Sequence, residues 1–271
     1  MRTYDSVICD VDGVLIDVSR SFTAAVVDAV EEATGSSRFT PAEVRILKES
    51  PGFNDDWHVA VAGGAWVRFF KTTPIEEFVA AIEAAGGGLA GLASLTDVPP
   101  STQFFGLMTH LAQEAYGGLD ACESLYGFTP ETIKQRGRML AERPLPGAKN
   151  LRRHVQRLGI VSGRSSAEMV FAADMLGWSL SPDLVALSDD PALNKPNPEK
   201  LLAICALLGS ERVVYAGDSL DDYELIRNAR EPFPGQIDFA GIGPVRPAWN
   251  DAELQCTNIE ELLTVIEGYD D

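Results

Sequence analysis

Residues 6–13 read Ser6-Val7-Ile8-Cys9-Asp10-Val11-Asp12-Gly13, an apolar run ending on two carboxylates and a glycine. Four apolar or small residues bounded by a turn signal predict a short buried strand over 6–9. Two acids two residues apart can share one site if the chain turns after them, and Gly13 favours that turn. Taken alone, an Asp-x-Asp turn is equally an acidic surface feature. What lies on either side of it decides.

C-terminal to this stretch the pattern is helical for more than a hundred residues. Residues 21–34 predict a helix, with Asp17 or Ser19 available as its cap. Residues 41–50 open on Pro41, a favoured first helical position, while 55–70 and 74–85 are apolar at helical spacing. The glycine-rich run 86–95 reads as a flexible break, and 101–116 and 130–142 as further helices. No strand is expected between about 20 and 140. Beyond residue 143 the character changes to strand–helix alternation. Strands are expected within 155–163, 183–190, 212–219 and 237–243, and helices over 166–178, 198–209 and 258–269. A helix near 147–153 is expected to be clipped. Alternation of this kind builds a parallel sheet with right-handed crossovers. The expected fold is α/β, a doubly wound Rossmann-like core of residues 1–17 and 143–271 with an all-helical insertion of residues 18–142.

Composition narrows the function. The 271 residues are 45% apolar, a globular composition, with no uninterrupted apolar run near the roughly 20 residues a membrane span needs. The N-terminus lacks the apolar run and cleavage site of a signal peptide, so a cytoplasmic protein is expected. Cys9, Cys122, Cys205 and Cys256 form no C-x-x-C pair, and His58, His110 and His154 show no zinc spacing. A net charge of −18 argues against a nucleic-acid partner. An anionic substrate would need local positive charge at its site.

Ligands of open parallel sheets bind at the carboxyl ends of the strands, and four features fall there. The first is Asp10-Val11-Asp12-Gly13. The second is Val161-Ser162-Gly163-Arg164, where a hydroxyl and free amides at a helix start suit a phosphate. The third is Asn194-Lys195-Pro196-Asn197-Pro198, a lysine between prolines that restrict its backbone. The fourth is Gly217-Asp218-Ser219-Leu220-Asp221-Asp222, whose carboxylates join Asp10 as hard oxygen ligands suited to magnesium.

In this order the four motifs resemble the haloacid dehalogenase-like superfamily, over about half the chain, and the insertion resembles the helical cap of its subgroup I. The resemblance implies a phosphatase acting on a small phosphorylated metabolite. Asp10 would be the nucleophile that forms an aspartyl-phosphate, and Asp12 the general acid and base. Ser162 and Gly163 would bind phosphoryl oxygens, Lys195 would hold phosphate and nucleophile, and Mg2+ would sit on Asp10, Asp12 through its carbonyl, and Asp218. Asp222 would support the metal, with adjacent Asp221 competing for that role. Asn194 and Asn197 depart from the family's usual glycine and alanine without touching the lysine. Arg164 could reach substrate or salt a helix surface.

Specificity is expected in the insertion, near residues 48–57. Lys48, Asn54 and Trp57 are its candidate substrate contacts, and Trp57 serves equally as cap core. A phosphomutase keeps the same motifs and is the alternative activity. Dehalogenases and phosphonate hydrolases lack the acid at Asp12, and a non-catalytic protein on this fold predicts a damaged motif. Sugar phosphates, phosphoglycolate, nucleotides and histidinol phosphate all fit as substrates, and the apolar insertion helices offer a homodimer interface.

Overall fold

The computed structural model describes residues 4–96, 103–190, 193–245 and 249–267. The chain divides into two compact units, residues 1–17 with 143–271, and residues 18–142. The first unit opens with β1 (Ser6–Cys9), buried along its whole length, and β2 (Ile16–Asp17).

The 18–142 unit is helical. It holds α1 (Phe22–Thr34), α2 (Pro41–Lys48), α3 (Asp56–Phe69), α4 (Ile75–Ala84), α5 (Gly88–Thr96) and α6 (Gln103–Tyr126). Neither Asp17 nor Ser19 caps α1. Ser21 holds the cap position, and its hydroxyl donates to the Val18 carbonyl at 3.1 Å instead of accepting from the helix. Thr40 and Glu43 form a reciprocal capping box on α2, and Asp55 accepts from the Trp57 amide at the start of α3.

The expected break at 86–95 is only a turn. Gly86, Gly87 and Gly88 have positive φ, and α5 then runs on. Gly91 lets α5 lie against α4, since a Cβ there would fall 2.3 Å from the Ile82 carbonyl oxygen. The expected helix at 130–142 is a loop ending in a short 3-10 turn, Arg138–Ala141. The amides of Glu131, Thr132 and Ile133 donate to the buried Glu114 carboxylate. The helix expected at 101–116 reaches Tyr126, kinked at Gly118. Its first two residues, and residues 268–269 of the closing helix, lie outside those described.

The remaining core runs β3 (Arg143–Pro144), α7 (Leu151–His154), β4 (Leu158–Val161), α8 (Ser166–Leu176), β5 (Val185–Ala186), α9 (Glu199–Leu208), β6 (Arg212–Gly217), α10 (Leu220–Arg230), β7 (Gln236–Ile242), β8 (Leu254–Cys256) and α11 (Ile259–Glu267). Six strands form one parallel sheet in the order β5-β4-β1-β6-β7-β8. The strand β8 is additional to those expected. So is the antiparallel β2–β3 pair, where the chain leaves the core and returns to it. Ile8, Tyr215, Phe239, Trp249, Leu201 and Leu225 share one buried cluster on the sheet. The chain steps outward from β1 through β4 to β5, then resumes on the other side of β1 with β6. That reversal puts a crevice at the carboxyl ends of β1, β4 and β6.

Candidate active site

Asp10 leaves β1 with its side chain buried. Its Oδ1 accepts from the Val11 amide at 2.7 Å, and its Oδ2 lies 2.9 Å from Lys195 Nζ. The same ammonium is 2.8 Å from Asp222 Oδ1, so one lysine bridges two buried carboxylates. Burial drives the Asp10 carboxyl upward, Lys195 pulls it back, and Asp222, Asp12 and Asp218 push it up again, to about 8. Burial disfavours the Lys195 cation, but Asp10 and Asp222 outweigh it and raise its pKa.

Asp222 is saturated with donors. Its Oδ1 accepts from Lys195 and from the Tyr215 hydroxyl at 2.7 Å. Its Oδ2 accepts from the amides of Asp218 and Ser219 and from the Ser219 hydroxyl. Burial opposes its charge, yet Lys195 and these bonds hold its carboxyl below the usual range. The local reason is the start of α10, where Ser219 and Asp222 cap each other reciprocally. Asp221 is half-buried, and burial raises it to about 6 against the pull of Lys195.

Gly13 determines how Asp218 approaches. Its φ is +74°, a conformation side chains rarely adopt, and a Cβ there would lie 2.1 Å from Asp218 Oδ2. The missing side chain lets that carboxylate lie against the backbone turn after Asp12. One oxygen each of Asp10, Asp218 and Asp222 lie within 4.8 Å of one another.

At the end of β4, the Ser162 amide donates to the Ala186 carbonyl and its hydroxyl accepts from the Arg164 amide at 3.3 Å. Space around Gly163 is open. Arg164 is fully buried, and both Nε and Nη2 lie 2.7 Å from Asp12 Oδ1. It therefore does not salt a helix surface. Asp10, Asp12, Ser162, Arg164, Lys195, Asp218 and Asp222 thus converge at three neighbouring strand ends.

The candidates in the helical unit have partners of their own there. Lys48 lies 2.8 Å from Asp56. Trp57 is half-buried and packs against Phe22, Tyr116 and Tyr126. Asn54 is half-buried in the loop before α3.

Sequence reasoning missed Tyr215. Its hydroxyl lies on a strand expected to be buried, and a buried tyrosine hydroxyl needs a partner. That was the available signal. Ser219 was passed over although it stands three residues before Asp222, the capping-box spacing.

Among the described residues the carboxylates Asp10, Asp12, Asp218 and Asp222 outnumber the cations Lys195 and Arg164 that face them, a deficit of positive charge. A divalent cation on oxygen ligands matches that deficit. The lone pairs of Asp222 already accept five hydrogen bonds, so Asp10 and Asp218 are the carboxylates fitted to touch it.

Such a strand-end cluster of acids and bases on a doubly wound sheet fits the hydrolase class. The profile of haloacid dehalogenase-like hydrolases matches residues 4–230, and the chain belongs to that family. Among solved structures it is similar to the phosphatase Tt82 from Thermococcus thioreducens, at 26% identity and a TM-score of 0.68, covering 97% of this chain and 99% of that one. It shares its fold with a predicted phosphoglycolate phosphatase from Haemophilus somnus, at 14% identity and TM-score 0.59, covering 98% and 99%. A subfamily IA hydrolase from Geobacter sulfurreducens shares it at 16% identity and TM-score 0.50, covering 98% and 97%. No curated protein matches the sequence. Among the described residues no single helix is long and apolar enough to cross a membrane.

Proposed function

We propose that this phosphatase-type hydrolase cleaves a small phosphate monoester with Mg2+, through a phosphoryl group carried on Asp10. The observation behind this is the bridge Asp10–Lys195–Asp222, with Asp12 held two residues from Asp10. A buried carboxylate fixed by a lysine and a backbone amide is a preorganised nucleophile.

The chemistry runs in two halves. A carboxylate oxygen of Asp10 forms a bond to phosphorus as the ester P–O bond breaks, and the leaving oxygen takes a proton from Asp12. Asp12 then takes a proton from water, whose oxygen attacks phosphorus. The Asp10–phosphorus bond breaks, phosphate departs and the carboxylate is restored. Lys195 and the Ser162–Gly163 turn offset charge on the phosphoryl oxygens and keep attack in line. Asp10, Asp218 and the Asp12 carbonyl would hold Mg2+, which supplies charge neutralisation and orientation.

Phosphoglycolate is one candidate substrate, alongside sugar phosphates and other phosphorylated metabolites. Phosphate release from such a panel, with Mg2+ and with chelator, tests the proposal. Mg2+-dependent release that Asp10→Asn abolishes is expected. Full activity in Asp10→Asn refutes the mechanism, and isomer exchange without net phosphate release makes the enzyme a mutase.

A further inference from the structure

Arg164 is unlike any other basic residue near the site. Its side chain has no exposure, while that of Asp12 keeps 27%. Nε and Nη2 converge on one oxygen, Asp12 Oδ1, each at 2.7 Å, and Nη1 reaches the Glu168 carbonyl at 3.4 Å. The backbone of Arg164 is pinned as well. Its amide donates to Ser162 Oγ, its carbonyl accepts from the Ser188 amide at 3.0 Å, and the α8 capping box begins at the next residue. Burying a guanidinium is costly unless its donors are used, so this geometry is held from both ends.

We infer that Arg164 is a positioning residue that selects which oxygen of Asp12 handles the proton. The inference rests on Asp12 being the general acid and base. A guanidinium only donates, and it stays charged at any working pH. It therefore keeps Oδ1 as an acceptor in both protonation states of Asp12. The proton is confined to Oδ2, which passes it to the leaving oxygen as the ester bond breaks and recovers one from water in the second half. With no exposure of its own, Arg164 does not touch substrate from this position and acts through Asp12. A lysine could supply charge there but not the two-pronged grip.

The test separates esters by how much they need the acid. An alkyl phosphate must have its leaving oxygen protonated, whereas p-nitrophenyl phosphate releases a stable phenolate. General acid catalysis contributes on the order of 10²–10⁴-fold. Arg164→Lys and Arg164→Gln, either of which suffices if the other does not fold, should each slow single-turnover ester cleavage about tenfold more on the alkyl ester than on the aryl ester, since the later attack of water is common to both. The half-saturating concentration in those single turnovers should stay within about twofold, since ground-state binding is untouched. In an Asp12→Asn protein, adding Arg164→Lys should no longer change the ratio of the alkyl to the aryl rate. Equal losses in single-turnover cleavage of both esters, a loss carried by the half-saturating concentration, or a change of the alkyl-to-aryl ratio in the Asp12→Asn background would each overturn the assignment while leaving the phosphatase intact. A wild-type protein that hydrolyses neither ester removes the phosphatase reading and this inference with it.

Discussion

Replacing Lys195 with methionine keeps most of the side chain's volume and removes its charge from between Asp10 and Asp222. The side chains of Lys195, Asp10 and Asp222 are 4%, 8% and 0% exposed, so water cannot substitute for the ammonium. At 2.9 and 2.8 Å each attraction is about 6 kcal/mol with an effective dielectric near 20. The two carboxylates repel each other by at least roughly 3.5 kcal/mol, their closest oxygens lying within 4.8 Å. The desolvation already borne by the three groups cancels much of the remainder, and uptake of a proton by Asp10 caps what is left. Breaking such a buried pair typically costs about 3–5 kcal/mol. For a domain of this size about 4 kcal/mol lowers Tm by roughly 8–16 °C. Calorimetry in chelator measures it. The pH dependence has a definite sign. Wild-type Asp10 is raised from 3.8 to about 8, so folded protein holds a proton that unfolded protein has released, and stability falls across that window and then levels off. Without Lys195 the folded value rises further, so the variant keeps losing stability above pH 8 and the gap widens there. A Tm within about 2 °C of wild type, or a gap that narrows with alkali, would refute the bridging role.

Three more expectations follow from single contacts. Gly13→Ala puts a Cβ 2.1 Å from Asp218 Oδ2 at a φ of +74°, costing about 1–2 kcal/mol in backbone alone; an Mg2+ titration of activity should show apparent affinity falling by roughly tenfold or more, the size of supporting-residue effects. Asp222→Asn replaces an acceptor oxygen with an N–H facing donors, so urea unfolding should show a loss of roughly 3 kcal/mol or more and phosphatase activity should collapse. Glu114→Gln weakens the acceptor for three loop amides, costing the helical unit roughly 2 kcal/mol at neutral pH. Burial opposes the Glu114 charge, but the amides of Ile133, Glu131 and Thr132 hold its carboxyl below 4.5, so its contribution is present above that value and lost in acid; urea curves of wild type and Glu114→Gln should converge as pH falls.

The legible parts of this chain were those whose cause is local. The strands β1, β4, β6 and β7 are largely apolar because both faces of a parallel sheet are covered, and the motifs at Asp10, Ser162 and Asp218 follow β1, β4 and β6 directly. The misread segments answer to distant groups. Residues 131–133 cannot extend a helix start while their amides serve Glu114, 17 to 19 residues away. The run from Gly88 is helical because Gly91 fits under the Ile82 carbonyl, a contact that composition does not reveal. The unexpected strands β2, β3 and β8, of two or three residues, are too short to show a period.

The same distinction explains how a chain of net charge −18 can serve an anionic substrate. Total charge describes a surface screened within about 10 Å at 0.1 M salt, whereas the site depends on buried charges only a few ångströms apart. There, Lys195 lies between Asp10 and Asp222, and Arg164 grips Asp12 across 152 residues of sequence. Asp218 adds a further carboxylate beside the Gly13 turn, so among the described residues the acids still outnumber these two cations, a balance that disfavours a phosphate dianion. One divalent cation between Asp10 and Asp218 reverses that balance. Binding of substrate and binding of Mg2+ should therefore be mutually reinforcing, each raising the other's affinity by the same factor. Isothermal titrations of the wild-type protein with inorganic phosphate, with and without Mg2+, would measure that factor, and independent binding of the two would show that the excess negative charge is compensated elsewhere.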